Sequence, residues 1–167
     1  NIEESIYFDI IRMKTAVLIA ACCAVGVAST GANEHQIELA RLMGEKAGIA
    51  FQIKDDLFDF GLGKKTGKPT GIDIKEKKTT LPLIYALNNS SGSQKSRIIN
   101  IVKSNSKNDK KINEVMEFVF KSGGIEYSQK LMEQYTNEAL AILDEFEDSE
   151  AKTSLKQLIK FTIEREK

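Results

Sequence analysis

The chain has 167 residues, in which 24 basic and 24 acidic side chains cancel, with two cysteines and one histidine. That length predicts one domain, 1–167, with a substantial core, and the charge balance leaves no global field to recruit nucleic acid or an anionic membrane, so any anion binding must be local. Adjacent Cys22 and Cys23 exclude a long-range disulfide framework and make a reducing cytoplasm the simplest setting, while the lone His35 excludes a multi-histidine zinc site.

Residues 3–29 read as one long helix, apolar all round after Met13 and therefore expected to be central. The uncharged run from Thr15 to Asn33 would nearly cross a bilayer core of about 30 Å at roughly 1.5 Å per residue. Its Ala, Gly, Cys, Ser and Thr content instead suits a helix packed closely between others, so no transmembrane segment is expected. Lys14 and Thr15 interrupt the apolar run at its start; Lys14 is either a solvated lysine or a ligand for a phosphate oxygen. Thr30-Gly31-Ala32 ends the pattern, and Asn33 with Gln36 forms a capping box that opens the next helix and leaves His35 in a solvated first turn. Gly44 and Gly48, four apart, would let the Ala-rich first helix approach closely and bring Lys14 within reach of the acids that follow.

Those acids lie in Gln52-Ile53-Lys54-Asp55-Asp56-Leu57-Phe58-Asp59. At about 100° per residue, a helix would place Gln52, Asp55, Asp56 and Asp59 within an arc of about 100°. Carboxylates at this density repel one another unless cations neutralise them, and an all-oxygen set suits a hard ion such as Mg2+. A solvated helix face is the other reading that periodicity leaves open. From Phe60 to Ile74 the glycines and lysines, Lys64, Lys65 and Lys68 among them, predict a basic loop that either closes over a phosphate, without the spacing of a nucleotide P-loop, or serves as an ordinary connector.

Thr79-Thr80-Leu81-Pro82 then predicts a hydroxyl-capped helix of about three turns. Serine-rich segments bracket a short helix around Ile98 to Val102. Further helices are expected over 112–121, closed by Ser122-Gly123-Gly124, and along the stripes Leu131–Phe146 and Leu155–Ile163. This last third reads as core. Nothing alternates like a strand, so the predicted class is all-α.

The set Lys14-Thr15, Gly48-Ile49-Ala50-Phe51-Gln52-Ile53-Lys54-Asp55-Asp56-Leu57-Phe58-Asp59, Gly67-Lys68-Pro69-Thr70-Gly71-Ile72-Asp73-Ile74 and Lys78-Thr79-Thr80-Leu81-Pro82 resembles the C-terminal half of trans-polyprenyl diphosphate synthases. The resemblance implies an isoprenoid synthase-type helical bundle, of which this chain is the C-terminal portion, and a Mg2+-dependent condensation of an allylic prenyl diphosphate with isopentenyl diphosphate. It also implies a homodimer. Asp55 and Asp59 look like direct Mg2+ ligands, with Asp56 holding their hydration shell; Lys14 and Lys68 look like diphosphate ligands, and Thr15 and Gln52 like residues beside the reacting allylic end. The family's first aspartate-rich motif and its isopentenyl diphosphate site are not found in this sequence, so the chain is expected to be a fragment that does not condense prenyl diphosphates by itself. A non-catalytic partner subunit that binds and modulates a complete synthase is the alternative, and a terpene cyclase of the same fold is a weaker one.

Overall fold

Apolar-periodic runs punctuated by caps and glycines yield helices, with no strand among the described residues, which in this computed structural model are 3–61, 70–104 and 108–165. In chain order they are α1 (Glu4–Ile11), a π-helical turn (Arg12–Ala16), α2 (Val17–Ala28), α3 (Glu34–Phe58), α4 (Ile72–Lys75), α5 (Leu81–Asn88), α6 (Gly92–Ser104), α7 (Asp109–Lys121), α8 (Gly124–Asp144) and α9 (Glu150–Glu164). The chain divides into two compact units, one of Asn1–Tyr7, Asp55–Gln129 and Glu166–Lys167, the other of Phe8–Lys54 and Lys130–Arg165.

In the second unit, α2 and α3 meet through small residues. A Cβ on Gly48 would lie 2.6 Å from the Ala16 Cα, and one on Gly44 3.0 Å from the Ala20 Cα. Ala16 and Ala20 are buried on this face. Met43, Ala139, Leu143 and Ile159 form the core beside it, with Cys23, Ala47, Leu140 and Phe146 packed around them. The capping box forms as expected: the Asn33 amide donates to Gln36 Oε1 at 3.2 Å and the Gln36 amide to Asn33 Oδ1 at 2.9 Å. His35 is exposed. Buried Lys152 is a structural cation, its Nζ donating to the Asp144 and Phe146 carbonyls at 3.1 and 2.6 Å and to Asp148 at 2.9 Å.

The expectation of a central first helix holds for one face only. Ile10, Met13, Val17, Leu18 and Val25 recur at helical spacing and are all exposed, Met13 to 77%. By length and composition alone, Glu4–Ala28 is the one helix among the described residues that could cross a membrane. An all-round apolar sequence does not specify which side is covered.

In the first unit, α5 packs on α6 and α7, and these two on each other. Leu81, Leu83, Ile84 and Leu87 of α5, Ile98 and Ile101 of α6, and Val115 and Val119 of α7 are buried in it. Several boundaries differ from expectation. The helix α5 has eight residues, and Thr80 occupies its N-cap position without a side-chain bond to the helix. The serines before α6 serve as its start rather than as loop, since the Ser91 carbonyl accepts from the Lys95 amide at 2.8 Å. The helix α7 begins at Asp109 because Asn108 Oδ1 caps it, accepting from the Lys110 and Lys111 amides.

The close α2–α3 approach makes a testable prediction. Gly48→Ala must displace backbone and should cost about 1–3 kcal/mol, whereas Gly26→Ala, with nothing within 4 Å of the added carbon, should gain up to about 1 kcal/mol of helix propensity. Thermal unfolding followed by circular dichroism should show opposite shifts in Tm.

Candidate functional site

The last turn of α3 presents Asp55 exposed and Asp56 buried. The helix stops at Phe58, so Asp59 sits in the turn that follows rather than on the expected helical arc. There it acts as a staple. Its Oδ1 accepts the Ile72 amide at 2.8 Å and its Oδ2 the Asp73 amide at 3.1 Å, while its carbonyl accepts the Gly71 amide at 2.9 Å. These are the donors that a helix start leaves without intrahelical partners, which is why 72–75 is a turn of helix where the glycine-rich composition predicts loop. Gly71 precedes it with φ 75°, a conformation that strains a side chain. Asp73 in turn accepts from Lys78 Nζ at 3.3 Å, and Lys78 also pairs with Glu76 at 2.6 Å.

Burial pushes the Asp59 carboxyl above its ordinary range, and the Asp73 charge adds to the rise; the Ile72 and Asp73 amides and the Lys78 charge pull the other way. Asp73, Lys78 and the staple on Asp59 were not among the candidate site residues, although Gly71-Ile72-Asp73 belongs to the family-like segment. Tyr7 also gave no sequence signal. Its Oη donates to Asp56 Oδ2 at 2.8 Å from 49 positions away, and both groups are buried.

In the second unit, the π turn carries Lys14, exposed, and Thr15, half-buried. Single π turns inside α-helices recur at functional sites. Thr15 Oγ1 donates to Oε1 of buried Gln52 at 2.7 Å, so two of the candidate residues are brought together. Lys14 belongs to this unit, whereas Asp55, Asp56 and Asp59 belong to the other. Lys68 lies outside the described residues.

Among the described residues, no three His, Cys, Asp or Glu side chains converge into a ready-made metal cage. Mg2+ does not require one: it keeps several waters and binds through one or two carboxylates together with substrate phosphates. The donor set here, exposed Asp55 with Asp56, Asp59 and Asp73, is hard oxygen throughout; burial first, and the Asp73 charge after it, raise the Asp59 carboxyl, a direction that a nearby cation would oppose. Oxygen donors of this kind are the set that a hydrated Mg2+ accepts.

Asp59→Ala should release the 72–73 turn. Loss of two charge-assisted bonds, each worth about 1.5–3 kcal/mol, predicts amide hydrogen exchange at Ile72 and Asp73 at least tenfold faster, with exchange in α9 unchanged.

Residues 1–119 match the family model described as polyprenyl synthetase. The chain is 33% identical over 167 residues to a short chain isoprenyl diphosphate synthase of Methanothermobacter thermautotrophicus, covering 99% of this chain and 51% of that protein. It is 30% identical over 164 residues to heptaprenyl diphosphate synthase component 2 of Bacillus subtilis, covering 96% and 46%. Among solved structures, geranylgeranyl pyrophosphate synthase from Bacteroides thetaiotaomicron superposes with a TM-score of 0.89 at 39% identity, over 99% of this chain and 55% of that one. The chain thus spans about half the length of the curated relatives it matches.

Proposed function

Because this chain belongs to the polyprenyl synthetase family, we propose that it supplies the second metal half-site of a Mg2+-dependent prenyltransferase, which condenses an allylic prenyl diphosphate with isopentenyl diphosphate. The observation that carries the proposal is the acidic segment of the first unit: exposed Asp55, buried Asp56 that accepts from Tyr7, and Asp59 stapled to the start of α4 beside Asp73. A solvated helix face would need none of these fixings.

In the proposed reaction the allylic C–O bond breaks, the double bond of isopentenyl diphosphate attacks the resulting cationic carbon, and a proton leaves. Bound Mg2+ supplies neutralisation of the diphosphate oxygens as charge collects on them. Asp55, Asp56 and Asp59 would hold it, Asp55 from its exposed position and Asp59 through lone pairs beyond the two that the amides occupy. Lys14 and Lys68 are assigned to the diphosphate, where lysine serves as a point charge. The Thr15–Gln52 pair is assigned to the allylic end, where a fixed carboxamide can lie beside a cationic carbon.

The chain is proposed to be a C-terminal part of the whole catalyst, working in a reducing cytoplasm as a homodimer without a transmembrane segment. Two observations support an incomplete unit: the half-length match to relatives and the exposed apolar stripe Ile10–Met13–Val17–Leu18–Val25. Such a stripe is what a helical complement would cover. The second reading, a non-catalytic subunit that modulates a complete synthase, draws on the same stripe and on the word "component" in the name of the Bacillus subtilis relative.

Two measurements test the proposal. Calorimetry should show pyrophosphate binding that requires Mg2+ and weakens at least tenfold in Asp55→Ala; equal binding by both proteins removes the acidic cluster from the site. Labelled isopentenyl diphosphate should give no product with this chain alone, and product from the chain alone contradicts the fragment reading.

A further inference from the structure

The step across the π turn of the second unit is one residue longer than α-helical spacing. Between 8 and 28 the buried residues are Ile11, Ala16 and Ala20, five and then four positions apart. In an uninterrupted α-helix, at about 100° per residue, Thr15 would fall about 40° round from Ile11 and Ala16 about 140° round from it. The turn, closed by the Val17 amide on the Arg12 carbonyl five residues back, absorbs the extra residue. Ala16 thereby meets the bare backbone of Gly48, and Thr15 meets Gln52 at 2.7 Å.

An ion chain reaches the turn from α3. Arg12, the first residue of the turn, donates from Nε to Glu45 Oε1 at 3.1 Å and from Nη1 to Asp9 at 3.0 Å. Glu45 is itself held, because Arg41 Nη1 donates to its other oxygen at 2.9 Å, and Arg41 is fixed in turn by two bonds of 2.8 Å to Glu38. An isolated exposed pair contributes little, but in a network each group is already ordered by another partner. Glu45, Gly48 and Gln52, at i, i+3 and i+7 on one face of α3, thus meet Arg12, Ala16 and Thr15 respectively.

We propose that Glu45 is a positioning residue: by anchoring Arg12 it keeps the π turn open, and the open turn sets Lys14 and Thr15 for the diphosphate and allylic ends of a prenyl diphosphate. The inference rests on the roles assigned above to Lys14, Thr15 and Gln52, and adds a residue that acts on substrate only through Arg12 and the turn. Without the anchor the stretch relaxes toward the α-register, whose backbone bonds span four residues rather than five. Thr15 then turns toward the face of Ile11, and Lys14 rotates with it.

The test titrates Mg2+ and inorganic pyrophosphate, the probe for the end assigned to Lys14, into the full chain by calorimetry. It compares wild type with Arg12→Ala, Glu45→Ala and the double variant, and takes Glu133→Ala, which removes an exposed acid from α8, as control. Arg12→Ala and Glu45→Ala remove opposite charges, so a field effect alone would move anion affinity in opposite directions. Loss of positioning weakens both, by about three- to fivefold, the scale of one ion pair. The Val17 amide should exchange faster in both by a similar factor, while the Ser29 amide, bonded to the Val25 carbonyl, keeps its wild-type rate. The double variant should bind no more weakly than the weaker-binding single variant, and Glu133→Ala should not weaken binding. Changes of opposite sign, unchanged affinity, an unmoved Val17 amide, additive losses in the double variant or an equal loss in Glu133→Ala each overturn the inference and leave the prenyltransferase reading in place; absence of Mg2+-dependent binding by wild type overturns both. If an alanine variant does not fold, Glu45→Asp, one methylene shorter with its charge kept, decides: weaker binding with faster Val17 exchange supports the anchor, and wild-type values overturn it.

Discussion

Packing Asp55, Asp56 and Asp59 into five residues, with Asp73 close enough to raise the Asp59 carboxyl, creates a charge density that the surrounding structure must hold in place. Neutral donors contribute to this. Tyr7 holds Asp56 through a phenol, and the Ile72 and Asp73 amides hold Asp59 through the backbone. These bonds orient the carboxylates without discharging them. Lys78, exposed and shared between Asp73 and Glu76, adds a positive charge that draws the Asp59 carboxyl back down.

The other unit applies a different constraint, close backbone approach. Gly44 and Gly48 admit Ala20 and Ala16 where any larger side chain would collide, and a π turn at 12–16 interrupts the α-helical register directly before α2. Together they set Thr15 against Gln52 and leave Lys14 exposed. Small residues on one side of the helix and large apolar ones on the other give it two faces with different fates. The first is buried, and the second is exposed.

Much of this was legible because it is local. Asn33 and Gln36 find each other three residues apart, and the Gly44–Gly48 spacing announces close packing whatever the partner. The all-α class followed from periodicity. What escaped the sequence depends on distant partners. The turn at 72–75 reads as loop until Asp59 supplies acceptors for its amides, and the Tyr7–Asp56 bond spans 49 positions that no motif bridges. The π turn lies in a run whose composition is compatible with ordinary helix. The exposed stripe escaped for a related reason: hydrophobicity all round a helix says that burial is favoured, but not which part of the burial this chain itself provides.

The central claim is that residues 55–59 and the start of α4 hold a divalent ion together with pyrophosphate. Paramagnetic relaxation with Mn2+ substituted for Mg2+ tests it most directly. In the presence of pyrophosphate, backbone resonances of Asp55, Asp56, Asp59, Ile72 and Asp73 should broaden at substoichiometric Mn2+ while those of α9 stay sharp. Broadening spread over the surface acids, or centred on the Asp144–Asp148 segment instead, would contradict the account.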